Sequence, residues 1–122
     1  MLNKNILIIE DEASFAELLK IRLEANKFQV QIASNGEKGL QKVAESVPDL
    51  IFLDVMMPGI DGYDVLRRLR RESATRHTPI IMLTAKGESK SILKAQELGA
   101  TDYLIKPCAS AELITLVRKY LH

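Results

Sequence analysis

Five short apolar runs, each separated from the next by a segment with helical periodicity, leave this chain very few architectures. The runs are NILIIE at 5–10, QVQIA at 29–33, LIFLDV at 50–55, PIIMLT at 79–84 and TDYLI at 101–105. The first, apolar without alternation, reads as a strand buried on both faces, as in a parallel sheet, and QVQIA as a short strand. Between them, apolar residues recur every three or four positions. Phe15, Leu18, Leu19 and Leu23 form a first stripe, and Leu40, Val43, Ala44 and Val47 a second, ended by Pro48. Val65, Leu66 and Leu69 point inward on a third helix with an arginine-rich outer face, and 89–98 reads as a fourth closed by Gly99. Ser110 is placed as the cap of a last helix bearing Leu113, Leu116, Val117, Tyr120 and Leu121. Five βα repeats in 122 residues, without linker or low-complexity stretch, predict one α/β domain over 1–122. Right-handed crossovers put helices on both faces, and the order 2-1-3-4-5 suits five strands. That flavodoxin-like, doubly wound sheet sets the first and third strands side by side.

The residues at the strand ends are the chemically notable ones. Glu10-Asp11 follows the first strand, Asp54 lies at the end of the third, Thr84 ends the fourth and Lys106-Pro107 the fifth. In open α/β sheets ligands bind outside the carboxyl ends of the strands, at the point where the order reverses. Three carboxylates there would repel one another and rise in pKa unless a cation sat among them. A hard divalent ion, Mg²⁺ foremost, takes oxygen ligands and keeps open positions for water or a phosphate oxygen. Lys106 is a point-charge partner for phosphate, and Thr84 can donate a hydroxyl hydrogen bond. One carboxylate is then free to act as nucleophile, and carboxylates do form aspartyl-phosphate intermediates. Asp54, flanked on both sides by the others, is the candidate.

Each of these residues alone has an ordinary structural reading: a turn or cap aspartate, a solvated lysine, a β-branched strand threonine. Their coincidence at matching strand ends outweighs those readings. Other features stay structural. Arg67, Arg68, Arg70 and Arg71 read as a solvated helix face rather than a nucleic-acid contact, because 17 basic against 16 acidic residues leave a net charge of +1. The single cysteine, Cys108, reads as a small packed hydrophobe, and His77 and His122 are too isolated for a metal site. MLNKNILIIEDE turns acidic too early for a signal peptide, and no apolar stretch nears the roughly 20 residues of a membrane span, so a cytoplasmic domain is expected.

On ILIIEDE, LIFLDVMMPGIDGYDVL, PIIMLTA and GATDYLIKP, the whole chain resembles the receiver domain of two-component response regulators. The resemblance implies that Asp54 accepts a phosphoryl group from a sensor histidine kinase or histidine phosphotransfer protein. It implies a Mg²⁺ site made by Asp11, Asp54 and the Met56 carbonyl, with Glu10 acting through water. Lys106 would pair with the phosphoryl oxygens, Thr84 would move toward them and Tyr103 would rotate inward. The Lys106-Pro107 peptide would be cis. Met56 and Lys86, two residues past Asp54 and Thr84, would tune hydrolysis; neither offers a base, so slow loss of the phosphoryl group is expected. The domain would act as a switch on its helix 4/strand 5/helix 5 surface, promoting only its own modification, with no direct nucleic-acid or membrane contact. A phosphorylation-dependent dimer is compatible with this.

The sequence departs from the family pattern at four positions. Glu10 stands where Asp is common, Cys108 where an aromatic is frequent, and Ile92 and Leu116 where the winged-helix transcription-factor branch carries basic residues, although Asp102 matches that branch. That branch is not favoured on this ground, and the more apolar face suits another partner. A haloacid-dehalogenase-type phosphatase would share the nucleophile, Thr, Lys and Mg²⁺. It would need a second Asp two residues after the nucleophile, where Met56 stands. A phosphorylation-independent module on the same fold is the other rival, opposed by the complete site.

Overall fold

The computed structural model describes residues 3–85 and 88–121. The roles expected of Lys86 and His122 therefore lie outside the described residues. Strands β1 (Asn5–Ile9), β2 (Gln29–Ala33), β3 (Leu50–Asp54), β4 (Ile80–Ala85) and β5 (Asp102–Lys106) alternate with helices α1 (Ala13–Ala25), α2 (Gly36–Glu45), α3 (Gly62–Arg71), α4 (Ser89–Glu97) and α5 (Ser110–Tyr120). All strand pairs are parallel, in the order β2-β1-β3-β4-β5. The expected architecture is the one the chain adopts.

The sheet divides the interior into two layers because successive side chains on a strand point to opposite faces. Ile6 and Ile8 of β1 join Phe52 of β3 under α1 and α5, against Phe15, Leu19, Leu23, Leu113 and Val117. Leu7 and Ile9 join Ile51 and Leu53 on the other face, against Val43 of α2 and Val65, Leu66 and Leu69 of α3. β3 is buried at every position, as its unbroken apolar run requires.

Several expectations are corrected. Leu18 does not enter the core but stays 40 % exposed, because α1 turns its stripe toward Phe15, Ala16, Leu19 and Leu23. α2 stops at Glu45, so Val47 falls past its end and remains exposed, as does Ala44. Ser110 is the first helical residue of α5; the cap position is Ala109, with no side-chain hydrogen bond. Asn35 does cap α2, accepting from the Lys38 amide at 2.8 Å.

Arg70 is not part of a solvated face. Its guanidinium donates to the carbonyls of Thr75 (2.9 Å), Thr78 (2.8 Å) and Gly99 (2.7 Å) and to the Thr101 hydroxyl (3.1 Å). It thereby ties α3 to the following loop and to the end of α4. Gly99 closes α4 in the left-handed region, φ +99, where the amides of Gly99 and Ala100 return to the Gln96 and Ala95 carbonyls.

Candidate functional site

β1 and β3 are neighbours, so the residues just past or at their ends meet. Oxygens of Glu10, Asp11 and Asp54 lie within 4.8 Å of one another. Glu10 and Asp54 are buried, at 1 % and 5 % exposure, while Asp11 faces solvent. Lys106 arrives from the end of β5, its ammonium paired with Glu10 Oε1 and 3.4 Å from Asp54 Oδ2. The cleft above them is lined also by Glu12, Met56, Thr84, Ala85 and Glu88.

Local backbone fixes Asp54 from below. The Met56 amide donates to Asp54 Oδ1 at 3.2 Å, and the Gly62 amide donates to the Val55 carbonyl at 3.1 Å. A Cβ at Gly62 would stand 2.2 Å from the Asp54 carbonyl oxygen, so only glycine lets α3 begin this close to the strand end. Asp61 caps that helix by accepting from the Asp64 amide at 2.9 Å.

The electrostatics of the cluster are unbalanced. Burial pushes the Glu10 carboxyl up to about 7, aided by its contact with Asp54 and that group's charge, while Lys106 opposes the rise. Burial acts to depress the Lys106 ammonium, but its hydrogen bonds and charge interactions with Glu10 and Asp54 prevail and raise it. Glu10 Oε2 accepts from the Glu12 amide at 3.2 Å. Oε1 is buried against the Lys106 ammonium, its ion-pair partner. An all-oxygen set of hard donors, two of them buried, fits a hard divalent cation.

The other residues singled out from the sequence fall on the same rim. Thr84 is buried, its hydroxyl turned to the Ala85 carbonyl at 3.5 Å, the far limit of a hydrogen bond, rather than to the carboxylates. Tyr103 points outward from β5, 39 % exposed. The Met56 side chain is 69 % exposed at the mouth of the cleft. The Lys106-Pro107 peptide is cis. Cys108 is a buried free thiol whose pKa is raised chiefly by burial, which is a packing residue's environment. Asp102 is engaged within the chain, accepting from the Tyr120 hydroxyl at 2.5 Å. That hydrogen bond, then burial and the Asp102 charge, push the Tyr120 phenol up to about 12.

Glu12, Ala85 and Glu88 on the cleft wall, and a second contact of Phe15, escaped the reading by sequence. Glu12 lines the cleft and holds Glu10 through its amide; its signal was adjacency to the acidic pair. Phe15 was read as core, and it is, but its ring also lies 5.1 Å from the Lys106 ammonium. Its partner is so distant in sequence that only the tertiary fold reveals it.

A doubly wound sheet with an acidic, lysine-closed cleft at its switch point defines a flavodoxin-like domain. A family model described as the response regulator receiver domain matches residues 6–118, and the chain belongs to this family, the receivers of two-component systems. The phosphate regulon transcriptional regulatory protein PhoB of Pseudomonas aeruginosa is 40 % identical over 121 residues, 99 % of this chain and 53 % of PhoB. The transcriptional regulatory protein ResD of Bacillus subtilis is 42 % identical over 116 residues, 95 % of this chain and 47 % of ResD. The chain thus spans about half the length of these relatives. A crystal structure of a putative response regulator from Chloroflexus aurantiacus superimposes with a TM-score of 0.95 at 38 % identity, covering 98 % of both chains. Among the described residues, no helix is long and apolar enough to cross a membrane.

Proposed function

We propose that this chain, read as one receiver domain over 1–122, is a phosphorylation-controlled switch in which Asp54 is the phosphoacceptor. The single observation that carries the reading is the setting of Asp54. It is buried at the switch point, with Glu10 and Asp11 oxygens within 4.8 Å and the Lys106 ammonium at 3.4 Å. An Asp54 oxygen attacks the phosphorus of a phosphohistidine on a sensor kinase or histidine phosphotransfer protein. The phosphorus–nitrogen bond breaks, the imidazole leaves with its electron pair, and an acyl phosphate remains on Asp54. The Met56 amide already holds Asp54 Oδ1, which leaves the other oxygen, facing Lys106, to attack. Lys106 neutralises phosphoryl oxygens as they arrive.

Asp11, Asp54 and the Met56 carbonyl are the residues that would hold Mg²⁺, with Glu10 reaching it through water. When bound, the ion relieves carboxylate repulsion and screens the phosphoryl charge. Thr84, whose hydroxyl has only a marginal partner, is free to turn toward the new phosphoryl oxygens, and the exposed Tyr103 ring to follow inward. The helix 4/strand 5/helix 5 surface then changes, for an output domain, a partner protein or a second copy. Met56 and Lys86 offer no base to activate water, so the phosphoryl group is lost slowly.

Intact mass after incubation with acetyl phosphate, with and without Mg²⁺, tests this. Wild type gains one phosphoryl group only with Mg²⁺, and Asp54→Asn gains none. A folded, Mg²⁺-binding wild type that gains nothing would point to a phosphorylation-independent module. A phosphoprotein lifetime of seconds would refute slow hydrolysis alone.

A further inference from the structure

We propose that Phe15, in the first turn of α1, is a positioning residue for Lys106: its ring is the shelf on which the ammonium rests. The proposal rests on the reading of Asp54 as phosphoacceptor.

The ring centroid lies 5.1 Å from Lys106 Nζ, within the range over which a cation is attracted to an aromatic face. Phe15 cannot drift, because it is 8 % exposed and packed in the layer with Ala16, Leu19 and Leu113. Lys106 by contrast is a flexible four-carbon stem whose side chain is 22 % exposed. Its other partners are the Glu10 and Asp54 carboxylates. Those two hold the ammonium only while their charge is unshared; a divalent cation or a phosphoryl group on Asp54 weakens that hold. The ring carries no charge to be neutralised, so its attraction persists through the transfer.

A second contact from the same helix face supports the arrangement. Arg22, seven residues or about two turns past Phe15, donates from Nη1 to the Cys108 carbonyl at 2.9 Å. α1 therefore grips the 106–108 segment at two points, the ammonium and the backbone beyond the proline. With one edge of the lysine bounded by carboxylates and the other by the ring, its approach to a phosphoryl oxygen is confined to the cleft.

The experiment uses the full chain with mono-, di- and trifluorinated phenylalanine placed at position 15, which preserves shape and burial while draining the ring face of electron density. The expected result is a stepwise fall in the rate of Mg²⁺-dependent uptake from acetyl phosphate, reaching roughly fivefold at the trifluoro ring, with an unchanged melting temperature. A flat series overturns the proposal. Independently of any transfer, NMR of the chelator-treated protein should show the Lys106 ε-methylene protons shifted upfield by the ring current, and Phe15→Leu should abolish the shift. Absence of that shift in wild type also overturns it. A wild type that shows the shift but gains no phosphoryl group defeats the phosphoacceptor reading first, and the positioning role with it.

Discussion

α3 and α4 are of nearly equal length and each follows a strand that delivers a site residue, Asp54 and Thr84 respectively, yet they are seated very differently. α3 buries Val65, Leu66 and Leu69 almost completely and starts hard against the Asp54 carbonyl. α4 buries only Ala95, leaves Leu93 61 % exposed and has no side-chain cap bond from its N-cap residue, Glu88. It is fastened mainly near its C-terminal end, where Arg70 holds the Gly99 carbonyl and Lys94 lies 4.4 Å over the Tyr63 ring. Close packing resists small displacements, whereas an element with few buried apolar contacts opens at low cost. The acidic cluster thus borders the fixed side, and the proposed readout surface the loosely seated one.

The contrast can be broken most directly in the core. Leu66→Ala should cost about 3 kcal/mol in denaturant unfolding, because the site is fully buried and cannot collapse around the lost methyls. A loss below about 1 kcal/mol would mean that α3 is no better anchored than α4.

The next effect has the opposite sign. Burial and Asp54 raise the Glu10 carboxyl from the ordinary 4.5 to about 7, so without metal the folded state favours the protonated form. The stability this group contributes is full below pH 4.5 and lost as pH rises through 7. In the presence of a chelator, Glu10→Gln should match wild type near pH 4.5 and exceed it by about 3 kcal/mol at pH 8. A pH-independent difference would show that Glu10 is charged throughout. Added Mg²⁺ should narrow the gap, since the charged form then has a partner.

Arg70→Met should cost about 1.5 kcal/mol by removing donors from several carbonyls. More informatively, hydrogen exchange should rise at Gly99–Thr101 and in α4 while α3 stays protected. Equal loss of protection in both helices would remove the distinction between them. Least of all, Leu93→Ala should change stability by less than about 0.5 kcal/mol. A larger loss would mean that the exposed leucine is covered in solution.

The strand order, the two-sided burial and the meeting of Glu10, Asp11, Asp54, Thr84 and Lys106 at one edge were legible because they follow from periodicity and chain topology. What was not legible depended on exact rotation or on partners far along the chain. Leu18 fits a helical stripe as well as Leu19 does, and only the seating of α1 decides between them. Val47 continues the α2 pattern, but the helix ends before reaching it. Arg70 looked like its neighbours Arg68 and Arg71, since carbonyls that await a guanidinium leave no mark in a sequence. Phe15 was placed correctly in the core, while its second role depends on a lysine brought beside it only by the completed fold.

The site draws on residues 10, 11, 54, 84 and 106, the last delivered by the edge strand β5 pairing with β4. The cluster therefore closes only when β5, far along the chain from Glu10, has joined the sheet. A copy in which β5 has come away from β4 keeps its three clustered carboxylates but loses the ammonium that balances them.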